Sequence, residues 1–287
     1  MLSQNRQGGF ISERTYRDYK TRQTSQMCQR HEQLKHAILQ AHSHRFMRVY
    51  GYRKMHAYLV SQGYEAGISQ VRNLMRELAI EGTRTGKAPR TTIPARSTGG
   101  RPDLLHKQFV APAPNLVHVA DITYVKMSNG SFAYVAFITD VFSRRIVGWA
   151  VSTSLKTERV ALPALEESIH WAALHGNTQG LIHHSDHGVQ YISQVYSKRV
   201  QDYGMLSSTG TIGDSSDNAL AERTNNAYKT ELIRVNPPYE SIEELEYDTF
   251  QWVTWFNTQR LHQSLGYKTP QQVEEEYYMN YKVIMTR

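Results

Sequence analysis

The grammar of the chain changes at Leu116, and this change limits the fold more than any other feature. Val117, Val119, Asp121, Thr123 and Val125 alternate with their neighbours at the two-residue period of a strand with one buried face. Ser128-Asn129-Gly130 is a hairpin turn signal. A second strand follows over Phe132–Thr139, a turn at Ser143-Arg144-Arg145, and a third strand over Ile146–Val151. A helical pattern then runs from Thr157 to His175 and closes at Gly176. The short apolar strand Gly180–Ser185 stops at Asp186, a helix covers Ile192–Tyr203, and Met205–Thr209 reads as a fifth strand. An antiparallel meander followed by alternating helix and strand predicts an α/β fold, a mixed five-stranded sheet with helices on its faces.

Charge divides the chain at nearly the same place. Residues 1–115 hold 19 Lys and Arg against seven Asp and Glu, whereas residues 116–287 hold 14 against 19. A basic first part joined to a mildly acidic second part suggests a nucleic-acid-gripping region attached to a domain with different work. We expect a flexible basic arm over 1–30 and a helical domain over 31–82. Two consecutive helices there, around Tyr52–Leu59 and Ser69–Leu78, are separated by a connection too long for a strict helix-turn-helix. Arg53, Arg72 and Arg76 mark its basic face, which suits either a DNA reader or a plain packing module. A basic linker without an apolar period spans 83–115, a core 116–235 and a C-terminal helical extension 236–287. In that extension Ser241-Ile242-Glu243-Glu244 is a capping box. Trp252, Trp255 and Phe256 form a face that packs on the core, and Glu274-Glu275-Glu276 a solvated helix end. Cys28 is the one cysteine, which excludes a disulfide framework and a cysteine-rich zinc module. No apolar run approaches the ~20 residues of a membrane span. A cytoplasmic location and no membrane partner are expected.

Three carboxylates concentrate the chemical interest. Asp121 lies mid-strand, where aspartate is disfavoured. Asp186 ends an apolar strand, where ligand sites gather in α/β sheets. Glu222 lies on a helix expected over Asp217–Leu232, opened by the turn and cap residues Gly213–Asp217. It shares a stripe with Asn218, Asn226 and Lys229. Gathered together, the three would need compensating cations, and oxygen-only ligands suit magnesium or manganese. Scattered, they would be a strand polar residue, a turn residue and a surface residue. The 35 residues between Asp186 and Glu222 decide between these readings. Asp140 could approach as a fourth carboxylate or cap the turn with Ser143. His183, His184 and His187 could bind metal or shape the site around Asp186.

Asp121-Ile122-Thr123-Tyr124, Asp140 through Trp149, His183-His184-Ser185-Asp186-His187-Gly188-Val189-Gln190-Tyr191 and Gly213 through Glu222 form a specific set, extended by Trp255-Phe256-Asn257, Arg260, His262 and Leu265-Gly266-Tyr267. Over residues 31–278 the chain closely resembles the catalytic (B-frame) transposases of the insertion-sequence-three family. These belong to the retroviral-integrase-like DDE superfamily. The resemblance implies an RNase H-like core and a metal-binding catalytic trio of Asp121, Asp186 and Glu222. It implies two magnesium ions, with manganese as a substitute, and cleavage at element ends followed by strand transfer into target DNA. It also makes Lys229, with Asn226 beside it, a contact to the transposon end. The implied partners are terminal-repeat and target DNA, further copies of the chain and a first-frame product, in a nucleoid-associated setting. A stand-alone RNase H-like nuclease and a catalytically silent DNA-binding regulator are the alternatives. His118, Ala120 and Arg223 depart from the family pattern, which usually has Trp, Thr or Ser, and Ser there.

Overall fold

The computed structural model describes residues 12–21, 25–83, 101–106, 108–176, 178–210 and 218–285. Residues 1–11, the linker cations Arg84, Lys87, Arg90 and Arg96, and the turn and cap cluster Gly213–Asp217 lie outside the described residues.

Four helices come first: α1 (Glu13–Thr21), α2 (Gln26–Ser43), α3 (Tyr52–Ser61) and α4 (Ile68–Glu77). Helix α2 starts inside the stretch expected to be a flexible arm, where Ser25 accepts a hydrogen bond from the Cys28 amide and caps it. Leu34, Ile38, Met55, Leu59, Val71, Leu74 and Met75 form the interior of this bundle. The sheet follows: β1 (Val117–Lys126), β2 (Phe132–Asp140), β3 (Ile146–Ser152), β4 (Ile182–Ser185) and β5 (Leu206–Thr209). Its order is β3-β2-β1-β4-β5. The first three strands are antiparallel, and β4 joins β1, and β5 joins β4, in parallel. This is the mixed RNase H-like sheet.

Alternation along β2 sets the two layers. Ala136 and Ile138 face a core with Ala164, Leu165 and Ile169 of α5 (Ala161–Leu174) and Tyr196 and Val200 of α7 (Gln194–Asp202), which follows the short α6 (Val189–Ile192). Ala133, Val135 and Phe137 face the opposite layer. That layer holds Tyr228 of α8 (Ala219–Tyr228) and Trp252 of α9 (Ile242–Thr258). Phe137, Tyr228 and Trp252 meet with ring centroids 4.9, 5.6 and 5.0 Å apart. Helix α8 continues as a π-helical turn over Lys229–Ile233, a wider winding than the α-helix expected from its sequence.

Two expectations need correction. The second half of the linker is not coreless: Leu105 and Ala111 are buried with Val117 and Val141, and the Leu104 amide donates to Ser208 Oγ at 3.0 Å. Apolar residues too sparse to show a period still find a core when the segment lies along β5. The helical bundle packs onto α9 and so onto the sheet. Phe46 and Tyr50 stack near Trp255, with centroids 5.1 and 6.3 Å away, Arg45 pairs with Asp248, and one apolar cluster runs from α2 to α9. Finally, Glu274 of α10 (Pro270–Met285) is buried rather than solvated. It accepts from Ser143 Oγ at 2.9 Å and Arg145 Nε at 2.5 Å, so a far-off turn supplies the partners that make its burial tolerable. The Ser241 cap forms as expected, accepting from the Glu244 amide at 3.2 Å.

Candidate active site: a carboxylate cluster at the β1–β4 junction

The parallel register of β1 and β4 brings two of the carboxylates side by side. Ala120 pairs with Ser185 at the end of the ladder, so Asp121 and Asp186 occupy the next position on neighbouring strands. Neighbouring strands run about 4.8 Å apart, and the two carboxylates feel each other. Burial first, and then the Asp186 charge, push the Asp121 carboxyl up to about 7, with Glu222 adding to the push. Burial also raises Asp186. Glu222 is raised by burial and then by Asp186.

Helix α8 delivers the third carboxylate and holds the first. Asn225, one turn after Glu222, donates from Nδ2 to Asp121 Oδ2 at 2.8 Å, and Asn218 Nδ2 donates to the Ala120 carbonyl at 3.0 Å. The Ile122 amide takes the other Asp121 oxygen at 2.8 Å. Asp186 Oδ1 accepts from the Gly188 amide at 2.9 Å, and a Cβ at Gly188 would sit 2.9 Å from that same oxygen, closer than real side chains approach. Tyr191 is buried in the field of Asp121 and Asp186, and its hydroxyl has no partner among the described residues. None of the three carboxylates is ion-paired among the described residues, and no three Asp, Glu, His or Cys side chains there converge closely enough to hold one ion. Glu222 is exposed on the flank of α8, whereas Asp121 and Asp186 are half-buried.

The remaining candidates separate clearly. Lys229 caps the α-helical part of α8, half-buried, with its ammonium pulled down by burial and then by Arg234 while Asp121 raises it. Asn226 lies beside it, partly exposed. Asp140 is a turn cap: Oδ2 accepts from the Ser143 amide at 2.7 Å and from its hydroxyl at 2.8 Å, and Oδ1 from the Asn115 amide at 2.9 Å. The histidines shape the site. His183 Nε2 bonds the Tyr196 hydroxyl at 2.8 Å, His184 Nδ1 the Ser208 hydroxyl at 2.9 Å, and His187 Nε2 the Gly210 carbonyl at 2.6 Å. Arg53, Arg72 and Arg76 are exposed on the helical bundle. The first two guanidiniums sit 5.0 and 5.6 Å from the Tyr52 ring, and the third reaches Asn73 at 3.2 Å. Sequence reasoning selects Asn226 and passes over Asn225, the amide that holds Asp121. A signal is present, since Asn225 follows Glu222 by three residues, but the choice between adjacent amides depends on the rotation of α8 about its axis.

A sheet of this order with acidic side chains where β1 meets β4 is an integrase-type catalytic core. Residues 111–215 and 203–270 match the integrase core domain family, and residues 29–88 an HTH-like domain. A putative transposase for insertion sequence element IS986/IS6110 of Mycobacterium tuberculosis is 43% identical over 93% of this chain and 96% of its own length. The transposase for insertion sequence element IS629 of Shigella sonnei is 41% identical over 88% of this chain and 83% of its length. Among solved structures, the catalytic core domain of HTLV-2 integrase in complex with magnesium aligns with a TM-score of 0.39 at 19% identity, over 57% of this chain and 98% of that one. The chain belongs to the insertion-sequence-three family of transposases, in the DDE superfamily.

Proposed function

We propose that this chain cleaves DNA at the ends of an insertion sequence and joins the freed 3′ ends to target DNA, with Asp121, Asp186 and Glu222 as the catalytic carboxylates. The observation that carries the reading is the β1–β4 register, which sets Asp121 beside Asp186 with Glu222 on the adjoining helix, none of the three in an ion pair among the described residues. All three side chains offer oxygen donors only, which suits a divalent metal such as magnesium; as placed here they do not converge on one point, so Glu222 would have to move inward to complete the set. Magnesium, as two ions with manganese able to substitute, would supply Lewis acidity and charge neutralisation at the reacting phosphorus. Asn225 and the Ile122 amide fix the Asp121 carboxylate, and the Gly188 amide fixes Asp186, so neither oxygen pair must reorganise when substrate arrives. In cleavage, water attacks the phosphodiester at the element end and the 3′-oxygen leaves as a hydroxyl. In joining, that hydroxyl attacks a target phosphodiester, loses its proton, and displaces a target 3′-oxygen.

Lys229 and Asn226 hold the element end on the α8 flank beside Glu222. Arg53, Arg72 and Arg76 hold duplex DNA on the helical bundle, which forms a unit with the HTH-like match. Further copies of the chain assemble on the DNA, and a first-frame product joins them in the cytoplasm at the nucleoid. We keep the domain limits as read from the sequence, with two adjustments: the helical domain takes in α2 from Gln26, and the linker ends near residue 100, before Leu105 and Ala111 join the core.

The test is a labelled element-end duplex incubated with magnesium and target DNA, with products resolved on a denaturing gel. Asp121→Asn, Asp186→Asn and Glu222→Gln each lower both cleavage and joining by at least about 100-fold, with DNA binding retained. Full activity of Asp186→Asn would remove the catalytic assignment. Cleavage without any joined product would identify a stand-alone nuclease.

A further inference from the structure

Arg223 stands beside Glu222 and departs from the family pattern, and the metal site has no use for it. Its place on α8 explains why. Leu220, Arg223, Thr224 and Ala227 form one stripe of the helix, spaced at three and four residues. Glu222, Asn225 and Asn226 form another, on roughly the opposite flank at about 100° per residue. The first stripe lines a cavity of about 540 Å³ whose other walls carry Lys54 of α3, Arg144 of the β2–β3 turn, and Arg260 and His262 beyond α9.

This cavity concentrates positive charge with little to balance it. Arg260 and Lys54 converge on one carboxylate: Arg260 Nη2 lies 2.7 Å and Lys54 Nζ 3.7 Å from Glu231 Oε1. Glu231 is itself buried under Trp252, whose indole donates to it at 3.2 Å. On the other wall, Arg144 lies within the field of Arg223. The Nη1 of Arg144 is buried and has no partner among the described residues, while Nη2 reaches only the Phe109 carbonyl at 3.4 Å. The nearest further carboxylate, Asp140, already spends its oxygens on Asn115 and Ser143. Among the described residues, two of the four cations therefore share Glu231, Arg144 feels Asp140 without pairing with it, and one guanidinium edge is left without an acceptor. Burial first, and then Arg260, push the Lys54 ammonium down to about 7 against the pull of Glu231.

We propose that this cavity binds a phosphate group, so that α8 is flanked by nucleic acid on both sides: the reacting end beside Glu222, and a backbone phosphate held by Arg223, Arg144 and Lys54. Guanidinium edges match phosphate oxygens in bidentate fashion, and an anion there supplies the acceptor that Arg144 Nη1 lacks. The proposal rests on the DNA-processing reading of the carboxylate site. The phosphate could belong to DNA or be free in solution, and the experiment separates the two.

The full chain and its Arg223→Gln, Arg223→Lys and Lys54→Gln/Arg223→Gln variants are titrated onto a fluorescein-labelled duplex between about 50 and 200 mM salt. Circular dichroism melting is run on each with and without inorganic pyrophosphate. We expect the slope of log affinity against log salt to become shallower by about one for each phosphate no longer neutralised, with Arg223→Lys retaining most of it. An unchanged slope, together with a pyrophosphate-induced rise in melting temperature seen for the parent chain and absent in the double variant, would identify a free phosphate ligand. An unchanged slope with no variant-sensitive pyrophosphate effect overturns the proposal. If the parent chain binds no duplex but keeps its pyrophosphate effect through Arg223 and Lys54, the DNA-processing reading fails while the phosphate cavity stands.

Discussion

At the scale of single residues, the site depends on groups that hold the carboxylates as much as on the carboxylates themselves. Asn225 donates to Asp121. Asn225→Ala should lower strand transfer by about 10- to 100-fold, the usual cost of losing an orienting partner. Melting temperature should move little, which distinguishes positioning from folding. A second residue-scale expectation concerns acid. His118 is fully buried, bonded to Asn115 at 3.2 Å, and burial holds its imidazole down to about 3. An unfolded histidine takes its proton near pH 6.5. Between about 6.5 and 3 the unfolded chain therefore binds one more proton than the folded one, and stability falls as pH drops through that window. His118→Gln, which keeps a polar group for Asn115 and cannot titrate, should remove about 1.4 kcal/mol per pH unit of that slope. Urea unfolding across the window measures it.

At the scale of elements, close approach decides more than propensity does. Gly148 lies where β3 passes under α5, and a Cβ there would sit 2.1 Å from the Ala164 carbonyl and 2.9 Å from the Ser168 amide. Both obstacles are helix backbone, which cannot rotate aside. Gly148→Ala should destabilise the fold by about 1–3 kcal/mol, read as a lower urea midpoint with an unchanged slope. Elements are also where sequence patterns are most legible. The two-residue period of β1 and β2, the Asn-Gly turn between them and the short apolar β4 all appear where expected, because each is written in local chemistry. The winding of α8 is less legible. Its α-helix yields to a π-turn at Lys229, where Thr230, Glu231 and Leu232 are buried and Glu231 accepts from Trp252 of α9, a contact no local pattern encodes.

At the scale of the whole molecule, the basic helical bundle and the sheet are joined through α9. Trp255 is the joint: it is nearly fully buried and packs against both Phe46 and Tyr50. Trp255→Ala should cost about 3–5 kcal/mol and loosen the bundle from the sheet. The expected outcome in hydrogen exchange is faster exchange in α2 and α3 than in β1 and β2. This continuity carries Arg72 and Arg76 on a bundle that packs against the rest of the molecule through one apolar cluster.

The sequence by itself determined the α/β class, the order of strands and helices, and the identity of Asp121, Asp186 and Glu222 as the carboxylates worth watching. These are properties of local pattern and of residue types that are out of place where they stand. Tertiary structure alone decided which carboxylates become neighbours and on which flank of α8 each polar residue falls. It also decided that Glu274 and Glu231 are buried against arginines, and that residues 101–115 join the core. The physical reason is the same throughout. Burial of charge, the unbalanced cations around Arg223 and the choice of Asn225 over Asn226 depend on contacts between segments tens of residues apart, and no local period encodes them.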